Sequence, residues 1–227
     1  MSSGSIGMFM KRAILASVSV VLLGAMPASA EESSPTHFGF VTEDPFLQPG
    51  QEARRNDVTV LGGVYVADTF GGAAEFWSAD YLDSYMFGAV IGRDFYDLGA
   101  GFLLGGVVGA AVRFGDDEPD TTGELWTGVR LRHQGFLLGN LLISPGLTVG
   151  LSAVTGPTAV ERAREIDRNN ADATFLGYIG PEIALRWRTL PNVELVTQVH
   201  HRSGAKGTFG GMHEGSNAWT WGVRFKF

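Results

Sequence analysis

The sequence contains no cysteine, so disulfide bonds contribute nothing to the stability of the fold. Charged residues make up only 18% of the 227 residues, and after the first thirty no run of 18 consecutive apolar residues occurs. A transmembrane helix needs about 20 apolar residues, so none is predicted after residue 30. If the chain spans a membrane, it must do so as a closed β-barrel, in which every backbone group is paired.

The N-terminal thirty residues have the pattern of an export signal. Lys11 and Arg12 precede an apolar run, Ala13–Met26, and small residues at Ala28–Ala30 supply a cleavage pattern before Glu31. We predict that residues 1–30 are a cleaved signal peptide. The alternative is an uncleaved N-terminal anchor.

An excess of basic residues is also lacking. Residues 31–227 contain 15 basic and 24 acidic residues, a net charge of −9, which argues against a nucleic-acid partner. The Gly-rich stretch Gly99–Gly106 lies inside a predicted strand with no helix after it, which favours close packing over a phosphate cradle. We therefore predict no cofactor and no metal.

What the chain does contain is glycine, 32 residues of it, with many aromatic and aliphatic residues in strand-like runs. Residues 31–56 are polar and proline-containing and are predicted to be a periplasmic lead-in, followed by a barrel over residues 57–227. The predicted strands are Asp57–Asp68, Tyr81–Phe95, Asp97–Phe114, Gly123–Arg132, Phe136–Ser152, Thr174–Trp187, Asn192–Ser203 and Asn217–Phe227.

The connections between these strands alternate strictly between long and short, beginning with a long one. The short connections are predicted at Tyr96, His133–Gly135 and Arg188–Pro191. Long loops on one side and short turns on the other are typical of an all-β, eight-stranded antiparallel transmembrane β-barrel of the bacterial outer membrane. Within the third long loop, Ala159–Ala173 is either a short helix or a charged, solvated loop.

The last predicted strand shows the period-two pattern most clearly. Trp219, Trp221, Val223, Phe225 and Phe227 alternate with small or charged residues. The same alternation would suit a soluble β-sandwich, but the export signal and the asymmetric loops favour the barrel. A terminal phenylalanine on such a strand also resembles the C-terminal signature of bacterial outer-membrane proteins.

Two polar residues lie on the apolar face of the seventh predicted strand. Val193, Leu195, Thr197 and Val199 share one face, and two further steps along it bring His201 and then Ser203. Both therefore point toward lipid, near the outer-leaflet interface, where polar groups are costly and suggest a function. The alternative is that they have cleared the apolar band and contact headgroups or water.

A histidine two residues from a serine on one strand face can act as a general base for that serine. A third group usually orients the imidazole. Asn217, on the same face of the neighbouring last strand, can lie beside His201. Glu214, three residues earlier, would stabilise an imidazolium better, so both remain candidates.

The segments "HRSGA" (His201–Ala205) and "HEGSN" (His213–Asn217), followed by a short aromatic strand, resemble the PagL-type lipid A 3-O-deacylases. The resemblance covers about the last 30 residues. It implies an eight-stranded outer-membrane barrel without cofactors that cleaves the acyl ester at the 3-position of lipid A. It also implies that His201 is the general base, Ser203 the nucleophile and an acidic residue the third member.

The chain departs from the family pattern directly after the serine. The family has asparagine there, and this chain has Gly204, so oxyanion donors are expected to be the backbone N–H groups of Gly204 and Ala205. Arg202 and Lys206 flank the site and are candidates either for lipid A phosphates or for simple interfacial anchoring.

These residues predict an outer-membrane enzyme whose partner is lipid A or lipopolysaccharide in the outer leaflet. One alternative is an outer-membrane phospholipase, a class that uses a Ser-His-Asn arrangement but resembles a larger barrel. The other is a non-catalytic small barrel with a structural or adhesin-like role. Association into a homodimer is left open.

Overall fold

The protein is described by a computed structural model over residues 38–167 and 171–227. The predicted signal peptide lies outside the described residues. The elements of the described residues are, in chain order, β1 (Phe38–Phe40), β2 (Asn56–Val66), α1 (Phe70–Ala73), β3 (Tyr81–Gly99), β4 (Phe102–Gly115), β5 (Thr122–His133), β6 (Phe136–Leu138), β7 (Leu141–Val154), α2 (Ala159–Asp167), β8 (Phe175–Trp187), β9 (Val193–Ser203) and β10 (Asn217–Lys226).

Eight of the ten strands close into an antiparallel barrel in the order β2, β3, β4, β5, β7, β8, β9, β10. Strand β10 closes it by pairing on one side with β2, from Asn217 opposite Val66 to Lys226 opposite Asp57. On its other side β10 pairs with β9. The predicted eight-stranded β-barrel is therefore confirmed, and the closure leaves none of the eight strands with an unpaired edge.

Four long loops lie at one end of the barrel, which we call the long-loop end. They span residues 67–80, 116–121, 155–174 and 204–216, and we number them first to fourth. The opposite, short-turn end carries the hairpin turns and residues 38–55. At that end Phe46 packs against Leu137 and Leu142.

Two hairpin turns differ from the sequence prediction. Strand β3 does not end near Tyr96, because two β-bulges keep it paired with β4 as far as Gly99 opposite Phe102. The turn is formed by Gly99, Ala100 and Gly101, all with positive φ, so Gly99–Gly101 lies outside the strand interior.

The other difference concerns His133–Gly135, which is a break between β5 and β6 and not a hairpin turn. After the break, β6 pairs with β7, and the chain reverses at Gly139 and Asn140. Residues of β6 also pair with β1. The apolar run Phe136–Leu138 extends the sheet because it pairs with β7 on one side and with β1 on the other.

The strands alternate between a filled interior and an apolar exterior. In β4 every second residue from Gly105 to Arg113 is buried, and in β10 the buried residues include Ala218, Thr220, Arg224 and Lys226, as the period of a strand requires. The exterior is lined with aliphatic and aromatic side chains, which include Val60, Phe87, Ile91, Val108, Val112, Leu125, Val129, Val149, Trp221 and Phe225.

Charged side chains fill the interior in pairs. Near the short-turn end, the Arg224 guanidinium donates to both carboxylate oxygens of Glu182, at 2.7 and 2.8 Å, and to Glu194 at 3.2 Å. Arg130 likewise bridges Asp57 and Asp94. This pairing is necessary because one unpaired buried charge would destabilise the fold by about 3–5 kcal/mol.

Both helices of the described residues lie in long loops. Helix α2 begins with a capping box, in which Thr158 N–H donates to Glu161 at 2.9 Å and Glu161 N–H donates to the Thr158 hydroxyl at 3.2 Å. Ala159–Asp167 is therefore helical, which decides between the two alternatives left open for this loop. Among the residues described, no helix combines the length and apolar character needed to cross a membrane.

Candidate functional site

The side chains of His201 and Asn217 form a hydrogen-bonded pair at the long-loop end. The two residues are directly opposite each other on β9 and β10. The imidazole Nδ1 lies 2.6 Å from Asn217 Oδ1. Both belong to the outward-facing set of their strands, while His200 points inward and contacts Glu124 at 2.8 Å.

The orientation of the Asn217 amide determines the protonation of His201. Asn217 Nδ2 donates to the backbone carbonyl of Asp68 at 2.8 Å. A carbonyl only accepts, so the amide nitrogen must face Asp68 and the amide oxygen must face the imidazole. That oxygen accepts the Nδ1 proton of His201. In the neutral ring, Nε2 therefore carries a lone pair and can accept a proton.

Glu214, the carboxylate candidate for the third member, is directed elsewhere. Its carboxylate lies 3.9 Å from the guanidinium of Arg164, and both side chains are partly exposed. The group in contact with His201 is the Asn217 amide. Of the two candidates left open by the sequence, Asn217 is the one that contacts His201, because these two residues are paired directly across β9 and β10.

Ser203 lies on the same face of β9, two residues beyond His201 and roughly 7 Å along the strand. It is half-buried and stands opposite Gly177 of β8. Its Oγ accepts a hydrogen bond from the Ala205 N–H at 3.1 Å. The hydroxyl proton remains available for donation, which is what a base-activated nucleophile requires.

The loop after Ser203 is tightly wound. Gly204 packs so closely on the backbone of Met212 that a β-carbon there would overlap the Met212 carbonyl. Ala205 and Lys206 both have positive φ, at 48° and 56°, which is uncommon for residues other than glycine. The Ala205 N–H, predicted as an oxyanion donor, donates to Ser203 Oγ instead.

The two basic residues that flank the site have different environments. Both alternatives for Arg202, a lipid A phosphate and an interfacial anchor, are wrong, because its side chain is fully buried inside the barrel. Its guanidinium donates to Glu161, to Ser152 Oγ and to the Ala173 carbonyl. The reason is parity, since Arg202 lies between two outward-facing residues. Lys206 is exposed on the fourth loop.

The first long loop covers His201, which the sequence did not reveal. The Phe70 ring lies against the imidazole, with centroids 4.4 Å apart and planes inclined by 32°. Helix α1 is held on β10 by Trp219, whose Nε1 donates to the Ala73 carbonyl at 2.6 Å. His201 is consequently only 4% exposed. Aromatic residues in the "TFGGAAEFW" loop were the available signal.

Within residues 38–167 and 171–227, no cluster of three or more His, Cys, Asp or Glu side chains could hold a metal ion.

No protein-family model matches the chain, and no curated protein matches it in sequence. Solved structures of similar shape include the outer-membrane enzyme PagL, with 11% identity and a TM-score of 0.49 over 75% of this chain and 99% of that one. Another is the N-terminal β-barrel domain of Pseudomonas aeruginosa OprF, with 13% identity and a TM-score of 0.42 over 78% and 100% of the two chains. A third is Ail, the attachment invasion locus protein of Yersinia pestis, with 10% identity and a TM-score of 0.35 over 77% and 100%.

Proposed function

We propose that this protein is an outer-membrane esterase that removes the 3-O-linked acyl chain from lipid A. The observation that carries the proposal is the 2.6 Å hydrogen bond between His201 and Asn217, beside Ser203, on the outer surface of the barrel. A substrate ester in the lipid leaflet cannot enter an interior filled by side chains. Catalytic groups for such a substrate must therefore lie on the outside.

The distribution of side chains supports placement in a membrane. Apolar residues on the exterior and paired charges in the interior reverse the arrangement of a water-soluble protein. Exposed aromatic rings occur near both ends of the barrel, as expected at the two membrane interfaces. They include Phe76, Trp77, Phe114 and Phe175 near the long-loop end, and Phe38, Phe40, Phe95, Tyr96, Phe102 and Phe227 near the short-turn end.

The loop lengths support one orientation of the barrel in the membrane. In outer-membrane barrels the short turns face the periplasm and the longer loops face outward. His201 and Ser203 lie where β9 enters the fourth long loop, so they would reach the outer-leaflet interface. The acyl esters of lipid A lie close to this depth, below its phosphorylated sugars.

The reaction would proceed through an acyl-enzyme. Ser203 Oγ attacks the acyl carbonyl carbon while its proton moves to His201 Nε2, and the proton is then delivered to the departing sugar oxygen. Water next attacks the acyl-Ser203 ester, with His201 again taking and returning one proton. Asn217 holds the ring in the required tautomer throughout. Because residue 204 is glycine, any oxyanion donor there is a backbone N–H.

A phospholipid is the second candidate substrate class. It is favoured by one observation, the amide in place of a carboxylate as the partner of His201. A neutral partner orients the imidazole but stabilises the imidazolium less than a carboxylate would. This alternative keeps the same three residues and changes only the lipid that supplies the ester.

The test is mass spectrometry of lipid A and phospholipids from Gram-negative cells that express the wild-type protein, Ser203→Ala or Ser78→Ala. Ser78 is an exposed serine of the first long loop and serves as the matched control. The proposal predicts loss of one ester-linked acyl chain from lipid A with wild type and Ser78→Ala, and none with Ser203→Ala.

Other results would redirect or reject the proposal. Release of phospholipid acyl chains, dependent on Ser203 and with intact lipid A, would select the phospholipase alternative. Unchanged profiles of both lipids from a folded barrel would reject the enzyme and leave the non-catalytic barrel.

A further inference from the structure

Arg164 of helix α2 reaches across the long-loop end to the backbone around the His201–Asn217 pair. One terminal nitrogen donates to the carbonyls of Ala67 and Asp68, at 3.1 and 3.3 Å. The other donates to the carbonyl of Gly215. One guanidinium thus joins the third, first and fourth long loops.

Two of these carbonyls belong to segments that adjoin Asn217. The Asp68 carbonyl is the group that accepts a hydrogen bond from Asn217 Nδ2. Gly215 is two residues before Asn217 and leads into β10. Arg164 therefore holds both the acceptor that fixes the amide and the chain that carries it.

We infer that Arg164 is a positioning residue that keeps His201 in the tautomer with its proton on Nδ1. The inference rests on the proposed function only for its consequence in catalysis. The geometric chain runs from Arg164 to the Asp68 carbonyl, from there to the Asn217 amide, and from the amide to the imidazole.

The helix that carries Arg164 is itself anchored in the barrel. Glu161, one turn earlier, is fully buried and accepts hydrogen bonds from Arg202 and from Ser216 Oγ, the latter at 2.7 Å. Ser216 directly precedes Asn217. The buried anchor restricts where the Arg164 guanidinium can lie, so the contact with Asp68 is well defined.

Losing the guanidinium would release the amide. Without Arg164 the Ala67–Asp68 segment loses two donated hydrogen bonds, and Asn217 is freer to rotate by 180°. The rotated amide would present its NH₂ group to Nδ1, which must then be the acceptor, and the ring proton would move to Nε2. An Nε2–H imidazole cannot take the proton of Ser203. Lysine cannot replace the forked guanidinium of Arg164, because its ammonium group is a single point donor.

The test compares Arg164→Met, Arg164→Lys and the control Arg162→Met in the full-length barrel, refolded in detergent with ¹⁵N-labelled histidine. Arg162 is exposed on the same helix. Two-bond ¹H–¹⁵N spectra distinguish the two tautomers, and His201→Gln identifies the His201 signals. Folding of each variant is checked by its mobility on unheated SDS gels.

We expect the Nδ1–H form for His201 in wild type and Arg162→Met, and a substantial Nε2–H population in Arg164→Met and Arg164→Lys. With lipid substrate, kcat of Arg164→Met should fall roughly 10- to 100-fold with little change in KM, since an imidazole in the wrong tautomer affects the chemical step more than binding.

The outcomes separate this inference from the proposed function. A His201 tautomer that stays the same in folded Arg164→Met overturns the inference, whatever the activity. A tautomer change in a barrel whose wild type hydrolyses no lipid supports the positioning role and rejects the esterase. If Arg164→Met does not fold, Arg164→Lys decides, because it retains the positive charge and most of the side chain.

Discussion

The Phe70 ring lies against the imidazole of His201 in a tilted contact, at a centroid distance of 4.4 Å, and this contact joins the first long loop to the outer surface of β9. The residue proposed as the general base is thus covered in this arrangement by an aromatic ring from a segment far away in sequence. Because His201 is only 4% exposed, access of a lipid ester to its imidazole requires that part of this cover move.

The first prediction concerns this cover. Phe70→Ala should expose the imidazole, because the alanine methyl group leaves most of the volume of the ring empty. We expect the rate of His201 modification by diethylpyrocarbonate, followed by peptide mass spectrometry, to rise roughly 3- to 10-fold, with a similar rise in lipid hydrolysis. Trp77→Ala, at a 76% exposed position of the same loop, is the control. Equal labelling in Phe70→Ala and wild type would show that the ring does not limit access.

The second prediction concerns the third member of the site. Asn217→Ala removes the acceptor of the Nδ1 proton, so kcat should fall roughly 100-fold. Glu214→Gln should change kcat by less than about 3-fold, because the Glu214–Arg164 contact is long and partly exposed. Steady-state hydrolysis of purified lipid A in mixed micelles measures both. The reverse order of effects would return the role to Glu214.

The third prediction concerns Gly204, the glycine directly after Ser203. A side chain at this position would collide with the Met212 backbone, which the fourth loop cannot shift without losing its own hydrogen bonds. Gly204→Asn should therefore lower the free energy of unfolding by about 1–3 kcal/mol. Urea titration followed by tryptophan fluorescence measures this value.

Gly207→Asn is the control for Gly204→Asn, because a side chain at position 207 meets open space. Its φ of 97° carries some strain, but asparagine tolerates positive φ better than most residues do. Equal unfolding midpoints for Gly204→Asn and wild type would show that the fourth loop adapts to the side chain.

The fourth prediction concerns pH at the short-turn end. Burial by itself raises the pKa of Asp44, but the two hydrogen bonds and the charge of Arg186 outweigh it and leave the pKa below its usual 3.8. A lowered pKa means that the pair stabilises the fold above about pH 4 and that this contribution is lost as the pH falls through the folded-state pKa.

Asp44→Asn tests this assignment. The variant should be less stable than wild type at pH 7, and the difference should shrink below pH 4 as Asp44 becomes protonated in the wild type. Urea unfolding midpoints across this range measure it. A stability difference that does not change with pH would mean that the Asp44 charge is not the source of the effect.

The sequence predicted the barrel well because its signals are local. Eight strand-like runs predict eight strands, and the strict alternation of long and short connections predicts the direction of each strand. The two turns that were predicted at the wrong positions show where prediction from local patterns fails. At Tyr96 the two bulges, and at His133–Gly135 the continued pairing with β7, depend on neighbouring strands that no local pattern reports.

By itself, the sequence determined which side chains share a face. Because side-chain direction alternates along a strand, it placed His201 and Ser203 on one face and showed that Asn217 could lie beside His201. The tertiary structure decided which group contacts the imidazole, what covers it and what holds its partner in place. Those contacts join segments as much as 149 residues apart, as between Asn217 and Asp68, and they exist only once the barrel has brought the loops together.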